Sequence, residues 1–576
     1  MPLPNCTLAL YETEYRDRHL IHGAVDYWAA RTPDAPALIN ATRDTTATWA
    51  TLQQMSMALA AELLRLGFRK GDFLATSLPL LTEHVFLEYA CFRIGVIHVP
   101  LDLRLSKDDV VRCLSVVRPR GYVTALGQDP REDCPWIEHL WDGAAFAGLC
   151  RAAAANTAPV EWPEVTRADG AQVIFTTGST GRPKAGLLTH GSITAQNLCL
   201  GEAFEFQASR VMVNLPSSHV GGQAELLMTA LFHGGTAVLL EIFDPGKTLE
   251  AIEKYKVRLL GQIPAMFLME WRHSDYGKRD LSSLDIVVYG GQSVPRPFLD
   301  KLKTMAPRVA TGLGLTEASG FCTYTSPTGD MDELAAGIGY AMELYPMTIR
   351  QPIHSDGHAG DEVPNGQIGH VCFRGPQTFA GYVNDPEETA RTISTDGYLY
   401  TGDMGHVDSA GLHFAGRAKW VIKPAGYQVF PGDVENHICA LSEKVAACGV
   451  VGVEHPIWVE AIVAFVEKRP GVEITEAELR RHARSLTSYM RPLHYVIVEP
   501  GQLPLNRVAK IDSLRLKEMA DDEVRELRAR GRWKDDREED LSLIHISGLH
   551  RELGVAVGVE ARQRRRAGRQ TGGREP

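Results

Sequence analysis

The sequence lacks the features that mark disulfide-rich and membrane-spanning proteins. Its ten cysteines are scattered over 576 residues and form no Cys-x-x-Cys pair, which argues against a structural zinc site and a disulfide framework. The most apolar stretch, 73–103, is interrupted by Glu83, Glu88 and Arg93, and it falls short of the ~20 apolar residues that a membrane-spanning helix needs. We therefore expect a cytoplasmic protein with reduced thiols and no transmembrane segment.

An excess of basic charge is also missing. The chain has 60 Lys and Arg against 71 Asp and Glu, a formal net charge of −11, whereas binding to a phosphate backbone requires a concentrated basic face. The first residues show no basic stretch followed by an apolar run, so we expect no secretory signal. Nucleic acid is not an expected partner.

What the sequence does contain is a repeated alternation of short apolar runs with helix-like segments, which is typical of α/β folds. A single core stops growing at roughly 250–300 residues, so we expect more than one domain. The texture becomes Gly-rich and polar around 411–431. We predict a large first domain over 1–417 and a smaller one over 418–520. The runs in the first domain after the first hundred residues are 173–175, 211–215, 236–240, 258–262 and 286–289.

The end of the chain has a different composition. It is highly charged from about Asp521, and 561–576 consists mainly of Arg and Gly with almost no apolar side chains. A segment without apolar residues cannot form a core, so we predict a disordered tail over 521–576. The abrupt change near Leu541 also raises the alternative that the last residues are not native.

The most informative stretch is VIFTTGSTGRPKAGLLTH, residues 173–190. Glycines allow backbone N–H groups to converge on an anion, hydroxyl groups add donors, and Lys184 adds a positive charge, so the stretch suits a polyphosphate. It is not a Walker loop, because Pro183 precedes the lysine and Ala185 follows it. Taken alone, such a loop is more often a plain turn than a binding site.

Further motifs follow in an order that resembles the adenylate-forming enzymes, the family of acyl-CoA synthetases, firefly luciferase and nonribosomal-peptide adenylation domains. The match covers about 24–516. It implies a large adenylation domain of several subdomains and a small, mobile α+β C-terminal domain. After the loop, the matching motifs are YGGQ (289–292), GLTE (314–317), YTGD (400–403), GR (416–417), IKPAGYQ (422–428) and PLNRVAK (504–510).

The resemblance implies ATP, Mg²⁺ and CoA as cofactors and assigns a role to each motif residue. The ATP-binding residues would be Thr176, Thr177, Gly178, Ser179, Thr180, Gly181, Lys184, Gly291, Gly314, Asp403 and Arg417. The catalytic residues would be His219, Thr316, Glu317 and Lys510, with Glu317 also binding Mg²⁺ through oxygen. Lys419 would be the hinge, and Lys423, Gly426 and Tyr427 would line the CoA tunnel. A core histidine, a solvated helix end and a surface lysine are the ordinary alternatives for His219, Lys423 and Lys510.

Three positions depart from the family pattern. Leu313 stands where an aromatic residue usually stacks on adenine, and Ala185 and Ala509 each replace a glycine beside a motif lysine. The first change removes part of a stacking interaction worth about 0.5–1.5 kcal/mol. An extra methyl group is tolerated where φ is negative and is costly where φ is positive.

For the acid substrate, the chain lacks the Phe-Asp pair with which amino-acid-activating relatives hold an ammonium group. The residues around the expected acyl pocket instead indicate an apolar pocket. An alkanoic, an alicyclic and an aryl acid all remain open as substrates. The residues that indicate the pocket are Val220, Gly221, Gly222, Gly290, Gly291 and Phe321.

We therefore predict a cytoplasmic ligase that joins a small carboxylic acid to CoA through an acyl-adenylate, with release of AMP and pyrophosphate. One alternative keeps the first step but loads a carrier protein, or stops at the adenylate. A second belongs to another class, a catalytically weakened homologue that senses nucleotide or acyl ligand, which the three departures motivate.

Overall fold

Strands and helices alternate along most of the chain, as the apolar pattern predicts. The computed structural model describes residues 6–127, 129–156, 158–177, 183–424, 427–456, 458–505 and 511–533. The chain divides into two units, Met1–Lys419 and Trp420–Pro576. The strands are β1 Pro36–Asn40, β2 Thr45–Thr48, β3 Phe73–Ser77, β4 Ile97–Pro100, β5 Gly121–Thr124, β6 His139–Trp141, β7 Gly170–Thr177, β8 Pro183–Thr189, β9 Arg210–Val213, β10 Thr236–Leu239, β11 Leu259–Gln262, β12 Ile286–Tyr289, β13 Arg308–Ala310, β14 Gly314–Leu315, β15 Gly320–Phe321, β16 Met347–Arg350, β17 Gly369–Phe373, β18 Gly381–Tyr382, β19 Leu399–Asp408, β20 Gly411–Arg417, β21 Val445–His455, β22 Val459–Lys468 and β23 His494–Val498.

Most of the α-helices connect strands of the same sheet or cover its faces. They are α1 Leu8–Glu14, α2 Ile21–Ala29, α3 Trp49–Arg65, α4 Thr82–Ile94, α5 Lys107–Val117, α6 Gly143–Ala155, α7 His190–Ala203, α8 Thr229–Phe232, α9 Pro245–Tyr255, α10 Pro264–Arg272, α11 Arg296–Leu302, α12 Met331–Ala336, α13 Pro386–Thr392, α14 Pro431–Cys439, α15 Glu476–His482 and α16 Ser513–Ala529. A π-helix over Gly221–Met228 precedes α8.

Two seven-stranded sheets form the centre of the first unit. One has the order β13-β12-β11-β9-β10-β1-β2 and is parallel except at its β1–β2 edge. The other has the order β18-β8-β7-β4-β3-β5-β6, in which β8 runs antiparallel to both of its neighbours. The prediction that a helix follows each apolar run is therefore wrong for the run 173–175. The next segment forms β8 instead, because its backbone pairs with β7 and its side chains at Ala185 and Leu188 are buried.

The two large sheets share one core. It contains apolar residues from both sheets together with α4 and α7. Nearly every residue of α7 is buried, including polar ones, so this helix has no face for water. Asn197 links α7 to the π-helix, since its Nδ2 donates to Ala224 O at 2.7 Å.

Two smaller sheets complete the first unit and carry several of the motif residues. Strands β16, β17, β19 and β20 form an antiparallel sheet, and β14 and β15 form a two-stranded ribbon. The YTGD and GR motifs lie on β19 and β20, and GLTE begins in β14.

The second unit is a three-stranded sheet of β21, β22 and β23 with helices on both faces. Helices α14 and α15 pack on one face and α16 on the other. Helix α16 continues past Asp521, where we expect the tail to begin, and ends at Ala529. Its four buried residues are spaced three or four apart and form one apolar stripe on the sheet. They are Leu516, Ala520, Val524 and Leu527.

All ten cysteines are free thiols, and all of them except Cys439 are buried. Within the part of the chain that the structure describes, no helix is both long and apolar enough to cross a membrane. The fold is the expected mixture of α/β layers in a large first unit and a small second one.

Candidate active site

The stretch that is expected to bind phosphate joins two antiparallel strands. Thr176 at the end of β7 pairs with Lys184 in β8, and Thr177 pairs with Pro183. Gly178, Ser179, Thr180 and Gly181 lie outside the described residues. The Lys184 side chain is largely buried, forms an ion pair with Glu388 of α13, and its Nζ lies 5.4 Å from the centre of the Tyr382 ring.

The GLTE motif reaches the same place from β14. Thr316 and Glu317 form a short 3₁₀ turn after that strand. The Tyr382 hydroxyl donates to Glu317 Oε1 at 2.5 Å, and burial and the Glu317 charge both raise the pKa of Tyr382, so it stays a donor. Thr316 approaches β8 closely, since a Cβ added to Gly186 would lie 3.4 Å from its Cγ2. Thus Lys184, Thr316 and Glu317 come together around Tyr382.

The YTGD and GR motifs meet across the β19–β20 hairpin. Asp403 pairs with Arg417 in register, and Arg417 Nε lies 2.8 Å from Asp403 Oδ1. The Asp403 carboxylate is 2% exposed, whereas the Arg417 side chain is 51% exposed. A second contact orients the arginine, because its Nη1 donates to Thr401 O at 3.3 Å. Such a pair presents both acceptor and donor groups, which a sugar diol can use.

Lys419 connects these two clusters electrostatically. Burial, followed by the positive charges of Arg417 and Lys184, lowers its pKa. The positive charges of Lys184, Arg417 and Lys419 therefore lie close enough to interact. Such an arrangement favours binding of an anion with several charges, such as a polyphosphate.

His219 stands at the entry to the π-helix and is exposed. The Gly221 N–H donates to His219 Nδ1 at 3.0 Å, so the neutral ring carries its proton on Nε2. Gly222 makes this turn feasible, because a Cβ there would lie 2.5 Å from Pro216 O and 2.9 Å from Leu215 O.

The two glycines expected to bind adenosine, Gly291 and Gly314, occupy different structural settings. Gly291 follows β12 with φ of +90°, a conformation that a side chain disfavours. Gly314 pairs with Phe321 across the β14–β15 ribbon. Two hydrogen bonds hold the Leu313 backbone beside it: the Leu313 N–H donates to the Thr323 side-chain Oγ1, and the Leu313 carbonyl accepts from the Cys322 N–H, both at 2.8 Å.

One of the glycine replacements is explained by the structure. Ala185 lies inside β8, is buried, and is not among the described residues with positive φ, so its methyl group causes no backbone strain. Ala509 lies outside the described residues.

The π-helix places a carboxyl group beside two of the glycines that the sequence assigns to the substrate site. Glu225 lies beside Gly221 and Gly314, with its oxygens 3.2 Å from the position a Cβ would take at each. Burial raises its pKa to about 8, partly offset by a hydrogen bond from Phe321 N–H. The sequence alone could have indicated Glu225, because it is the one charged residue in the apolar run 220–232.

The second unit holds the residues expected to line the CoA tunnel. Lys423 is exposed, and its N–H donates to Glu460 Oε2 at 2.5 Å. Tyr427 is 43% exposed, and its ring stacks on Tyr489 with centroids 4.4 Å apart. Gly426 and Lys510 lie outside the described residues.

Comparison with known families explains why these motifs occur together. Residues 25–383 match the family model described as AMP-binding enzyme. The chain belongs to this family. Residues 433–510 match the AMP-binding enzyme C-terminal domain, so the AMP-binding domain and its C-terminal companion occur in the order that the motifs indicate.

Curated relatives of the AMP-binding enzyme cover most of the chain. Feruloyl-CoA synthase from Amycolatopsis sp is 31% identical over 460 residues, which is 78% of this chain and 89% of that protein. The Mycobacterium tuberculosis protein named 3-[(3aS,4S,7aS)-7a-methyl-1,5-dioxo-octahydro-1H-inden-4-yl]propanoyl:CoA ligase is 29% identical over 529 residues, 87% of this chain and 99% of that protein.

A solved structure has the same fold. O-succinylbenzoate coenzyme A synthetase from Bacillus subtilis, in complex with ATP and magnesium ion, superposes with a TM-score of 0.72 at 24% identity and covers 86% of this chain and 99% of that one.

Proposed function

We propose that this AMP-binding enzyme is an AMP-forming acid–CoA ligase that uses ATP, Mg²⁺ and CoA. In the first step, a carboxylate oxygen of the acid attacks the α-phosphorus of ATP, the bond to the bridging oxygen breaks, and pyrophosphate leaves. In the second step, the CoA thiolate attacks the acyl carbon, the acyl–oxygen bond breaks, and AMP leaves. The observation that carries the proposal is the convergence of Lys184, Glu317 and the Arg417–Lys419 pair in one domain of this family.

The phosphates would be bound by the cationic cluster. We assign the β- and γ-phosphates to Lys184 and the loop 176–181, and the α-phosphate to Thr316. Positioning and electrostatics are the main contributions to such phosphoryl chemistry. The positive charges of Lys184 and Lys419, which lie close enough to interact, would stabilise the negative charge on the departing pyrophosphate.

Glu317 fits the role of magnesium ligand, since it offers carboxylate oxygen and the Tyr382 hydroxyl fixes its orientation. The cation supplies neutralisation of phosphate charge when it is bound. The adenosine would be held by Gly291 and Gly314, and its ribose hydroxyls by Asp403 and Arg417.

For the acyl half of the site, we assign His219 to the carboxylate entry. Lys510 would bind the carboxylate and α-phosphate oxygens during adenylation, and Lys419 would serve as hinge for a mobile domain over 418–520. The pantetheine arm would pass Lys423, Gly426 and Tyr427.

We propose an aryl acid as the substrate class. Phe321 packs close to Gly290, since a Cβ on the glycine would lie 3.1 Å from the phenyl Cζ, and we assign these two residues to an apolar wall of the acyl pocket. The name of the feruloyl-CoA synthase also points to an aromatic acid. We place the reaction in the cytoplasm, because ten free thiols suit a reducing compartment.

The test is AMP and pyrophosphate release with ATP, Mg²⁺ and a panel of aryl, alicyclic and alkanoic acids, with CoA, with a carrier protein, or with neither. We expect CoA-dependent AMP release that is strongest with aryl acids. Asp403→Asn should abolish most turnover, whereas Asp408→Asn, on the exposed end of the same strand, should leave it intact. Turnover only with a carrier protein would overturn the CoA assignment, and activity of the Asp403 variant equal to wild type would overturn the ribose assignment.

A further inference from the structure

Three side chains that can bind a metal ion lie on one face of the β19–β20 hairpin. His406 and Asp408 are two residues apart on β19, and alternate residues of a strand point to the same face. His413 pairs with His406 across the hairpin, and residues directly opposite each other in an antiparallel pair also share a face. The hairpin therefore brings together two imidazoles and a carboxylate from its two strands.

The donor atoms of these side chains are close enough to bind one ion. One ring nitrogen from each histidine and one carboxylate oxygen all lie within 4.8 Å of one another. The two rings are stacked, with centroids 4.6 Å apart and planes 5° apart, and His413 Nε2 lies 2.7 Å from Asp408 Oδ1. Atoms about 2.0–2.2 Å from a tetrahedral ion are about 3.3–3.6 Å from each other. Modest side-chain rotations therefore bring all three groups into the range of a shared ion.

The three groups are also available to an ion from solution. The Asp408 carboxylate accepts from the Ala410 N–H at 2.7 Å, and this bond, together with the one from His413, lowers the pKa of Asp408, so the group is charged at neutral pH. The ring of His406 makes no hydrogen bond within the described part of the chain. The His413 and Asp408 side chains are 28% and 47% exposed, so water reaches them.

We propose that His406, Asp408 and His413 form a binding site for a divalent transition-metal ion such as Zn²⁺. One nitrogen of each imidazole and a carboxylate oxygen bind the ion, and water completes its coordination. The site is separate from the Mg²⁺ site proposed at Glu317. None of its three ligands is among the residues that we assign to ATP, the acid or CoA, so binding here is measured independently of turnover.

The chemistry of the ligands determines which ions the site takes. Imidazole nitrogen suits Zn²⁺, Cu²⁺ and Ni²⁺, whereas Mg²⁺ and Ca²⁺ prefer sets of oxygen ligands. Two histidines and one carboxylate also form the ligand set of zinc sites that keep a position for water. Because the ligands come from both strands, a bound ion joins β19 to β20. Zinc should therefore raise the unfolding temperature of the first unit.

The experiment is titration calorimetry of the full-length protein with ZnCl₂, after treatment with a chelator and with Mg²⁺ kept in excess. We expect wild type to bind Zn²⁺ at a site that His406→Gln and His413→Gln each weaken at least about 10-fold, since loss of even an outer partner of a metal site costs that much. Thermal unfolding without zinc checks that the variants fold as wild type does. With zinc, the wild type should gain thermal stability and the two variants should gain less.

His437→Gln is the matched control. His437 stacks on His482 with ring centroids 4.4 Å apart, but its Nε2 lies 3.2 Å from the His482 carbonyl oxygen. A carbonyl oxygen only accepts, so this nitrogen carries a proton and is not a metal ligand. The variant should bind zinc as tightly as wild type, because a stacked pair of histidines is not sufficient for a site.

Cu²⁺ serves as a second probe that identifies the ligands. With one equivalent of Cu²⁺, electron paramagnetic resonance should show coupling to two imidazole nitrogens in wild type and to one in each of His406→Gln and His413→Gln. The proposal is overturned if wild type binds no zinc, if excess Mg²⁺ abolishes zinc binding, or if both histidine variants bind zinc as tightly as wild type. Coupling to fewer than two nitrogens in wild type would overturn it as well.

Discussion

Tyr382 is the residue through which two motifs of the ligase are coupled, because its hydroxyl orients Glu317 and its ring lies beneath Lys184. Tyr382→Phe keeps the ring and removes the hydrogen bond. A hydrogen bond to a charged group contributes about 1.5–3 kcal/mol, so we expect adenylation to slow by roughly 10- to 100-fold.

The Tyr382→Phe variant should also need more Mg²⁺ for half-maximal pyrophosphate release, since the carboxylate that we propose as the metal ligand is less well oriented. Pyrophosphate release measured over a magnesium titration checks both effects. Tyr398→Phe removes a hydroxyl from a ring that packs on Arg350 and should behave like wild type. An unchanged magnesium requirement in Tyr382→Phe would separate this tyrosine from the metal site.

Glu270 makes the stability of the first unit depend on pH. Burial raises its pKa to about 8, against about 4.3 in an unfolded chain. Between these values the folded state keeps a proton that the unfolded state has lost, so stability falls as pH rises. Relative to Glu270→Gln, the wild type should lose about 1.4 kcal/mol per pH unit from about pH 5 to pH 8, and no more above that range.

Urea denaturation of the two proteins at several pH values from 5.5 to about 9 measures this difference. Glu250→Gln, at an exposed position on α9, should follow the wild-type curve. Parallel curves for wild type and Glu270→Gln would show that the buried carboxyl does not hold its proton.

At the residue scale, the sequence identifies the charged groups of the site better than their partners. Asp403 and Arg417 are recognisable from their motifs, and the structure places them 2.8 Å apart. The bond from Tyr382 to Glu317 joins residues 65 positions apart, and no local pattern reveals such a pairing.

At the scale of elements, the π-helix depends on a glycine that no other residue can replace without a shift. Gly222→Ala would place a methyl group 2.5 Å from the Pro216 carbonyl oxygen. We expect a loss of about 1–3 kcal/mol in the free energy of unfolding and a fall in activity, because the turn at His219 is displaced.

Urea denaturation with an activity assay tests the Gly222→Ala prediction. Gly148→Ala is the control, since the space around that helical glycine is open and alanine there should stabilise α6 by about 0.5–1 kcal/mol. If both variants retain wild-type stability and activity, the close contact does not constrain the π-helix.

The strands and helices themselves could be largely predicted from apolar periodicity, as α3 and β9 to β12 show. The exceptions are elements whose form depends on distant partners. Strand β8 forms because β7 and β18 flank it. The final turns of α16 form because Val524 packs in the core against the sheet and Leu527 is also buried. From composition alone, those turns are predicted to be a charged segment without regular structure.

At the scale of the whole molecule, each unit has its own hydrophobic cores, with none of their residues drawn from the other unit. We therefore expect two transitions in differential scanning calorimetry. The residues that we propose to bind ATP, as far as the structure describes them, belong to the first unit, so saturating ATP should raise the temperature of that transition. At a ligand concentration 100 times Kd the stabilisation is about 2.7 kcal/mol.

The Asp403→Asn protein provides the matched measurement for this experiment. Its two transitions should appear as in wild type without ATP, and its first should respond less to ATP. A single transition, or an equal response of both transitions to ATP, would contradict the assignment of nucleotide binding to the first unit.

Because most of the cysteines are buried, the rate at which they react reports how often the surrounding structure opens. Nine of its ten thiols are shielded, so an alkylating reagent in solution can reach them only when the surrounding packing opens. The rate of labelling, followed thiol by thiol with mass spectrometry, would then rank the local opening of each layer without any added probe. Chemical oxidants meet the same barrier, so the resistance of this enzyme to oxidation is set by how often it opens rather than by the reactivity of its sulfur atoms.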